Sequence, residues 1–351
     1  PPPPTDPGFS LDRLDRSVAP AADFYAFAAG SWIRANPVPA DQSRWTAFDE
    51  LREANLRRLH ELLESARVES DGAAAPPTVR LVGDFYASAL DGTRRNAAGF
   101  RPIEDDLRRI DGIASAADLV RTVADLHELG TETLFSAYVS ADKRASGFYA
   151  FYLEQGGLSL PDRDYYLDPQ FASVRTAFEA HVSRLLGMLG DDGPTAAAAA
   201  RAVVEIETEL ARASRSRTDL RDEERNYHRL ERGALEASGL HLRWAEYLRA
   251  RDLGGIAYAI VGQPEFFEAL DRLVAERPLA DWRTYLRWWV VHDAAPTLHE
   301  AAEREDFDFF HRTLLGQPEP EPSWKRAALV LDGLVGEALG ALYVARAFPP
   351  E

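Results

Sequence analysis

The sequence predicts a mainly α-helical protein with one small β element. Apolar residues recur at steps of three or four along several long stretches, which is the spacing of one buried helix face. One such stretch begins near residue 46 and places Leu56, Leu59, Leu63 and Ala66 on one side. Residues 134–140 and 148–153 instead are rich in aromatic and other apolar residues and flank a polar segment. That pattern predicts a β-hairpin.

The N-terminal part has little periodicity. Residues 1–22 begin with four prolines and predict an extended arm. Residues 23–34 mix aromatic and small side chains and predict a short buried helix. The prolines in Asn-Pro-Val-Pro at 36–39 end that helix, because each disfavours helix in the residue before it. Thr46, with Asp49 three residues later, has the spacing of a capping box and starts the next helix.

Three later helices follow from the same periodicity. Their apolar stripes are Phe171, Val174, Phe178, Val182, Leu185 and Leu189; then Val203, Ile206, Leu210 and Ala213; and last Trp324, Ala327, Leu331, Val335, Ala338 and Leu342. Pro194 is suited to the first turn of the second of these helices.

The composition excludes several classes of function. The chain has 351 residues with 40 basic and 57 acidic side chains, a net charge of −17. This balance argues against binding nucleic acid or anionic lipid, since both require basic surface. The absence of cysteine excludes disulfides, thiolate metal sites and a cysteine nucleophile. We also expect no membrane span, and no signal peptide is visible, although the sequence does not begin with Met.

Residues for catalysis are hard to find. None of the eight histidines lies four residues from another, so His-Glu-x-x-His does not occur. The nearest substitute, His292, His299 and Glu303, is interrupted by Pro296. No serine-hydrolase elbow, phosphate-binding loop or dinucleotide fingerprint is present. We therefore predict that this chain alone holds no catalytic zinc and is inactive. Residues 162–166, Asp-Arg-Asp-Tyr-Tyr, predict a structural turn that caps a helix.

One group of side chains is suited to binding. Phe48, Asp49 and Arg52 fall on one face of a helix start, and Arg44 lies in the loop before it. An arginine fork can hold a peptide carbonyl or carboxylate, and an aspartate can keep it oriented. The spacing alone favours the simpler interpretation, an aspartate at a helix N-terminus with an exposed ion pair.

Three motifs resemble the neprilysin / endothelin-converting-enzyme family of zinc metallopeptidases. The first is DFYAFAAGSW at 23–32, followed by NPVP at 36–39 and SRWTAFDELR at 43–52. The second is GLSLPDRDYY at 157–166. The third is SWKR at 323–326, with GALYV at 340–344 running into FPPE at 348–351. They occur in family order, and the lack of cysteine favours a bacterial member.

The resemblance implies a fold and a role. Residues 23–351 would form the N-terminal peptidase region, and 46–351 a multi-helix dome over the active site. Arg44, Asp49 and Arg52 would line one substrate pocket, and Phe48 would border the pocket for the residue after the cleaved bond. Zinc would be held only by a catalytic part, absent from this sequence, with which the chain pairs as a heterodimer to hydrolyse peptides.

Two matters stay open at this stage. The alternative function is a stand-alone helical module that binds peptides or proteins and has lost the catalytic half. The compartment is not fixed by the sequence, and a secreted or cell-envelope location is favoured over a cytoplasmic one.

Overall fold

A computed structural model describes residues 10–348 of the chain. They form two compact units, one from residues 10–92 together with 311–348 and the other from Thr93–Phe310. We call these the terminal unit and the central unit. The fold is mainly helical with a small sheet, as predicted.

The regular elements follow one another in this order: α1 (Phe24–Ala35), α2 (Ala47–Glu69), α3 (Pro77–Leu90), α4 (Gly92–Ala98), α5 (Glu104–Asp111), α6 (Ala116–Glu128), β1 (Phe135–Asp142), β2 (Ala145–Gln155), α7 (Asp164–Leu167), α8 (Ala172–Met188), α9 (Gly193–Ala213), β3 (His228–Glu231), α10 (Arg232–Ser238), α11 (Trp244–Ala250), β4 (Tyr258–Val261), α12 (Pro264–Glu276), α13 (Leu279–Ala294), α14 (Glu300–Asp306), a π-helical segment (Phe307–Thr313) and α15 (Ser323–Ala347).

The core of the terminal unit lies between α2, α3 and α15. The predicted stripe of α2 is buried there, together with residues of the other two helices: Val79, Val82, Tyr86, Ala327, Ala328, Leu331 and Leu339. Gly83 allows α3 to approach α2 closely, since a Cβ at this position would lie 2.3 Å from the carbonyl oxygen of Ala66. This packing fixes α2, whose first turn carries the predicted binding residues.

The N-terminal segment differs from its prediction in the expected arm and in the burial of α1. Of the expected arm, residues 1–9 lie outside the described part of the chain. In the rest of the expected arm, Leu11–Arg13 form a 3-10 helix and the Asp15 side chain is buried against Arg34 of α1. Helix α1 forms as predicted, but Gly30 is its one buried residue and Phe24 is 69% exposed, so the expected burial of this helix is wrong.

Helix α15 bears on the expectation of no membrane span. Among residues 10–348, it is the one helix long and apolar enough to cross a membrane, by length and composition. Residues 327–344 contain only two charged side chains, Asp332 and Glu337. Its inner face packs into the core of the terminal unit, and its backbone departs from helical geometry at Val335.

The central unit contains the predicted hairpin within a larger sheet. Strands β1 and β2 pair antiparallel, with Val139 opposite Phe151. The sheet order is β1-β2-β4-β3, in which β2 and β4 are parallel. Helices α9 and α13 supply much of the core, including the aromatic side chains of Trp282, Tyr285 and Trp288, all fully buried.

Candidate substrate-contact site

The first turn of α2 is built around a reciprocal cap. The Thr46 hydroxyl accepts a hydrogen bond from the Asp49 backbone N–H at 3.3 Å and donates one to Asp49 Oδ2 at 2.7 Å. This bond from Thr46 lowers the pKa of Asp49, partial burial opposes the effect, and the charges of Arg44 and Arg52 add to it. Asp49 is therefore a carboxylate at neutral pH, held in place by its own helix start.

The four predicted residues lie close together on the surface. The charges of Arg44 and Arg52 both lower the pKa of Asp49, so both guanidinium groups lie near this carboxylate. Both arginines are exposed. Phe48 is 82% exposed, which is unusual for a large aromatic side chain in a folded unit. The turn thus presents two guanidinium groups beside an uncovered apolar ring.

Below this turn lies a small cleft, and it contains residues that the sequence did not predict as a site. Its lining is Gln42, Trp45, Asp49, Arg52, Glu53, Leu56, Glu321 and Lys325. The structure therefore brings Asp49 and Arg52 to the cleft, with Arg44 and Phe48 beside it.

A buried lysine occupies the inner end of the cleft. Lys325 Nζ lies 2.6 Å from Glu53 Oε2, 3.2 Å from Glu321 Oε1 and 3.5 Å from Asp41 Oδ2. The Lys325 side chain is 3% exposed. Burial lowers the pKa of Lys325, but its bond to Glu53 and the charge of Glu321 outweigh burial, so the net pKa is raised. The lysine is therefore an ammonium ion in the fold.

Only part of this cluster had a signal in the sequence. Glu321 and Lys325 are four residues apart, and Lys325 belongs to the SWKR motif at 323–326. Asp41 and Glu53 are more than two hundred residues away along the chain. No periodicity connects such distant residues, so the cluster can be recognised only from the folded structure.

The histidines do not fit a zinc site. Both ring nitrogens of His127 are engaged, by Tyr247 and by the Thr133 carbonyl, and burial lowers its pKa to about 4. His299 Nδ1 caps α14 by accepting from the Ala302 N–H. Within residues 10–348, no group of three His, Cys, Asp or Glu side chains is arranged to hold a metal ion. We derive no catalytic step through zinc for this chain.

A second polar cluster lies inside the central unit. Glu207 is fully buried and accepts hydrogen bonds from the Ser159 hydroxyl at 2.6 Å and from the Tyr166 hydroxyl at 2.5 Å. Trp288 Nε1 donates to Ser159 Oγ at 2.9 Å. Burial raises the pKa of Glu207 to about 7. The cluster is enclosed by core side chains, so its role is structural, and it explains why Ser159 and Tyr166 occur in the second motif.

The fold is that of the N-terminal portion of a neprilysin-like peptidase. The model of peptidase family M13 matches residues 20–351, and the chain belongs to that family. It is 27% identical to an endothelin-converting enzyme homolog of Locusta migratoria, an alignment that covers 96% of this chain and 49% of that protein. It is 26% identical to human endothelin-converting enzyme 1, covering 96% of this chain and 45% of that protein.

Solved structures agree with the fold. The zinc metalloprotease Zmp1 of Mycobacterium tuberculosis, in complex with an inhibitor, superimposes with a TM-score of 0.92 at 31% identity. That match covers 97% of this chain and 52% of the other. PepO of Lactobacillus rhamnosis shares the fold, with a TM-score of 0.77 at 20% identity over 93% of this chain and 51% of the other. The chain thus spans about half the length of the relatives it matches.

Proposed function

We propose that this chain is the non-catalytic N-terminal half of a zinc metallopeptidase that hydrolyses peptides. It forms the helical cover and part of the substrate pocket, and a part bearing His-Glu-x-x-His supplies the zinc. The observation that carries the proposal is the exposed first turn of α2, where Phe48 is 82% exposed and the charges of two arginines act on Asp49.

The chemistry of this turn suits a peptide. A guanidinium group donates two parallel hydrogen bonds to a carboxylate, or to the carbonyl oxygens of an extended backbone. Asp49 places one negative charge near both arginines. Phe48 offers an apolar face to a substrate side chain. Residues that accept both a backbone and a side chain are what a peptide pocket requires.

The catalytic part needs a surface on which to dock, and the terminal unit exposes apolar side chains in three helices. They are Phe24 and Tyr25 of α1, Leu51 of α2, and Leu334 and Val344 of α15. Only 22% of the apolar stretch of α15 is buried. Exposed apolar surface of this extent marks an interaction site. We propose that the catalytic part covers it, in an interface well above the ~1,600 Å² of a standard complex.

Assembly is tested by mixing or co-expressing this chain with the zinc-bearing part of the same peptidase. We expect a stable one-to-one complex by size exclusion with mass measurement. Peptide hydrolysis and stoichiometric zinc should reside in the complex, and neither in the chelator-washed chain alone. A monodisperse monomer that does not bind the zinc-bearing part would instead favour the stand-alone binding module. Fractionation of the source cells tests the secreted or envelope location that we favour.

The pocket is tested by Arg52→Ala and Arg44→Ala in the assembled peptidase. Each variant removes a charge-assisted hydrogen bond worth about 1.5–3 kcal/mol, which corresponds to about a ten- to hundredfold loss in kcat/KM. Much of the loss should appear in KM, with zinc content unchanged. Arg58→Ala is the matched control, because it removes one exposed arginine from the same helix away from the first turn. Wild-type kinetics for both pocket variants on several peptides would show that the assignment is wrong.

A further inference from the structure

We infer that Lys325 is a positioning residue for the substrate-contact turn of α2, which it holds through a buried ion cluster with Glu53, Glu321 and Asp41. This inference rests on the proposed function, because it assigns a role in the same pocket. Lys325 lies in the first turn of α15, and Glu53 lies on α2 immediately after Arg52. The shortest contact in the cluster, 2.6 Å, joins these two helices.

The same cluster also holds the loop that leads into α2. Glu321 accepts a hydrogen bond from Gln42 Nε2 at 3.0 Å while it pairs with Lys325. The Glu319 N–H donates to the carbonyl of Ala40 at 2.9 Å. Residues 40–42 are thus fastened to residues 319–321. Arg44 follows this fastened segment by two residues, so both arginines of the pocket depend on the cluster for their place.

The net negative charge of the cluster also affects Arg52. One ammonium group faces three carboxylates, so removing it would leave three negative charges near one another. Arg52 lines the same cleft as Glu53 and Glu321. Without Lys325, the Arg52 guanidinium is the remaining cation that lines this cleft and can compensate those carboxylates. An arginine turned into the cleft is lost to the substrate.

The exposed partner of Glu53 provides a contrast. Arg57 Nε lies 3.9 Å from Glu53 Oε1, and the Arg57 side chain is 73% exposed. Exposed pairs of this kind contribute little, because water screens them and both side chains move. Arg57→Met therefore removes a cation from the same glutamate without disturbing the buried cluster.

The experiment compares Lys325→Met with Arg57→Met, and measures two quantities. Hydrogen exchange on this chain reports whether the first turn of α2 opens more often. Steady-state kinetics of the assembled peptidase report the pocket. We expect faster exchange at residues 47–53 in the Lys325 variant, and about a tenfold rise in KM with zinc content retained and a smaller change in kcat. The Arg57 variant should match wild type in both.

A merely structural role would lower stability and the active fraction but leave the KM of the active enzyme unchanged. The KM increase of Lys325→Met/Arg52→Ala should be smaller than the product of the two separate increases, since both changes act on the Arg52 contact. If Lys325→Met does not fold, Glu53→Gln takes its place, because it leaves the ammonium its other two carboxylates. It should raise KM in the same direction.

The outcomes separate the two proposals. Unchanged exchange, or wild-type KM in a folded variant when Arg52→Ala raises KM, overturns the inference alone. Additive effects of the two substitutions overturn it as well. A third outcome is faster exchange in Lys325→Met together with a wild-type KM in both Lys325→Met and Arg52→Ala. It would mean that Lys325 holds the turn but that the pocket assignment is wrong.

Discussion

Glu207 should make the stability of the chain fall as pH rises through neutrality. Its carboxyl is fully buried among Ser159, Tyr166 and Trp288, and burial raises its pKa from 4.5 to about 7. The native state therefore holds a proton that the unfolded state releases between these two values. A group of this kind stabilises the fold fully below pH 4.5 and loses its contribution as pH rises through about 7.

The size of the effect follows from the shift. About 2.5 pKa units at 1.36 kcal/mol per unit correspond to about 3 kcal/mol, of which about 2.5 kcal/mol is lost between pH 5 and pH 8. Glu207→Gln removes this titration, because the amide is uncharged throughout. Other groups, such as Asp306 and His127, titrate alike in both proteins and cancel in the difference between them.

Urea unfolding followed by tryptophan fluorescence measures that difference. The stability of wild type minus that of Glu207→Gln should fall by about 2.5 kcal/mol from pH 5 to pH 8. Difference infrared spectroscopy should also show the C=O band of a protonated acid disappearing near pH 7 in wild type, with a weaker band in the variant, where Asp306 still titrates. A constant stability difference across this range, with equal acid bands in the two proteins, would refute the assignment.

Two further substitutions test the second and first motifs. Gly157→Ala should destabilise the central unit by several kcal/mol in thermal or urea unfolding. The reason is that Gly157 has φ +73° and that a Cβ there would lie 2.6 Å from the Tyr285 hydroxyl. Gly147→Ala is the control, because nothing would lie within 4 Å of its Cβ. Phe48→Ala should change the preference of the assembled peptidase for the side chain after the cleaved bond while stability stays within about 0.5 kcal/mol of wild type, since the ring is 82% exposed; an unchanged peptide preference would contradict its place in the pocket.

The sequence predicts features that depend on neighbouring residues. The apolar stripe of α2 and the Thr46 cap follow from helical spacing, and the structure confirms them. Pro194 opens α9 as expected. The hairpin was predicted because apolar segments flank a short polar turn, and the pairing of β1 with β2 confirms it. Arg44, Asp49 and Arg52 lie together for the same reason, since all are within nine residues of one another.

Features that depend on distant residues could not be predicted. Strand β4 has four residues, and its buried apolar run is too short to distinguish from part of a helix. The sheet therefore gained two strands that the sequence analysis missed. Helix α1 shows the reverse error, because apolar composition predicts burial only when a partner surface is present. Its exposed Phe24 instead indicates a surface that another part of the protein would cover.

The ion cluster beneath α2 is difficult to explain by stability. Taking an ammonium out of water, and three carboxylates partly out of it, carries a desolvation cost that their attraction barely offsets, and apolar replacements of buried ion pairs are often neutral or stabilising. A hydrophobic contact between α2 and α15 would hold the helices as firmly, as Leu56 and Leu331 already do nearby. What an apolar contact lacks is direction. Lys325 fixes Glu53, Glu321 and the loop before Arg44 at defined distances, and it keeps the carboxylates from competing for Arg52. A site that depends on the orientation of two arginines gains from such a cluster, whereas a cover that only had to be stable would not.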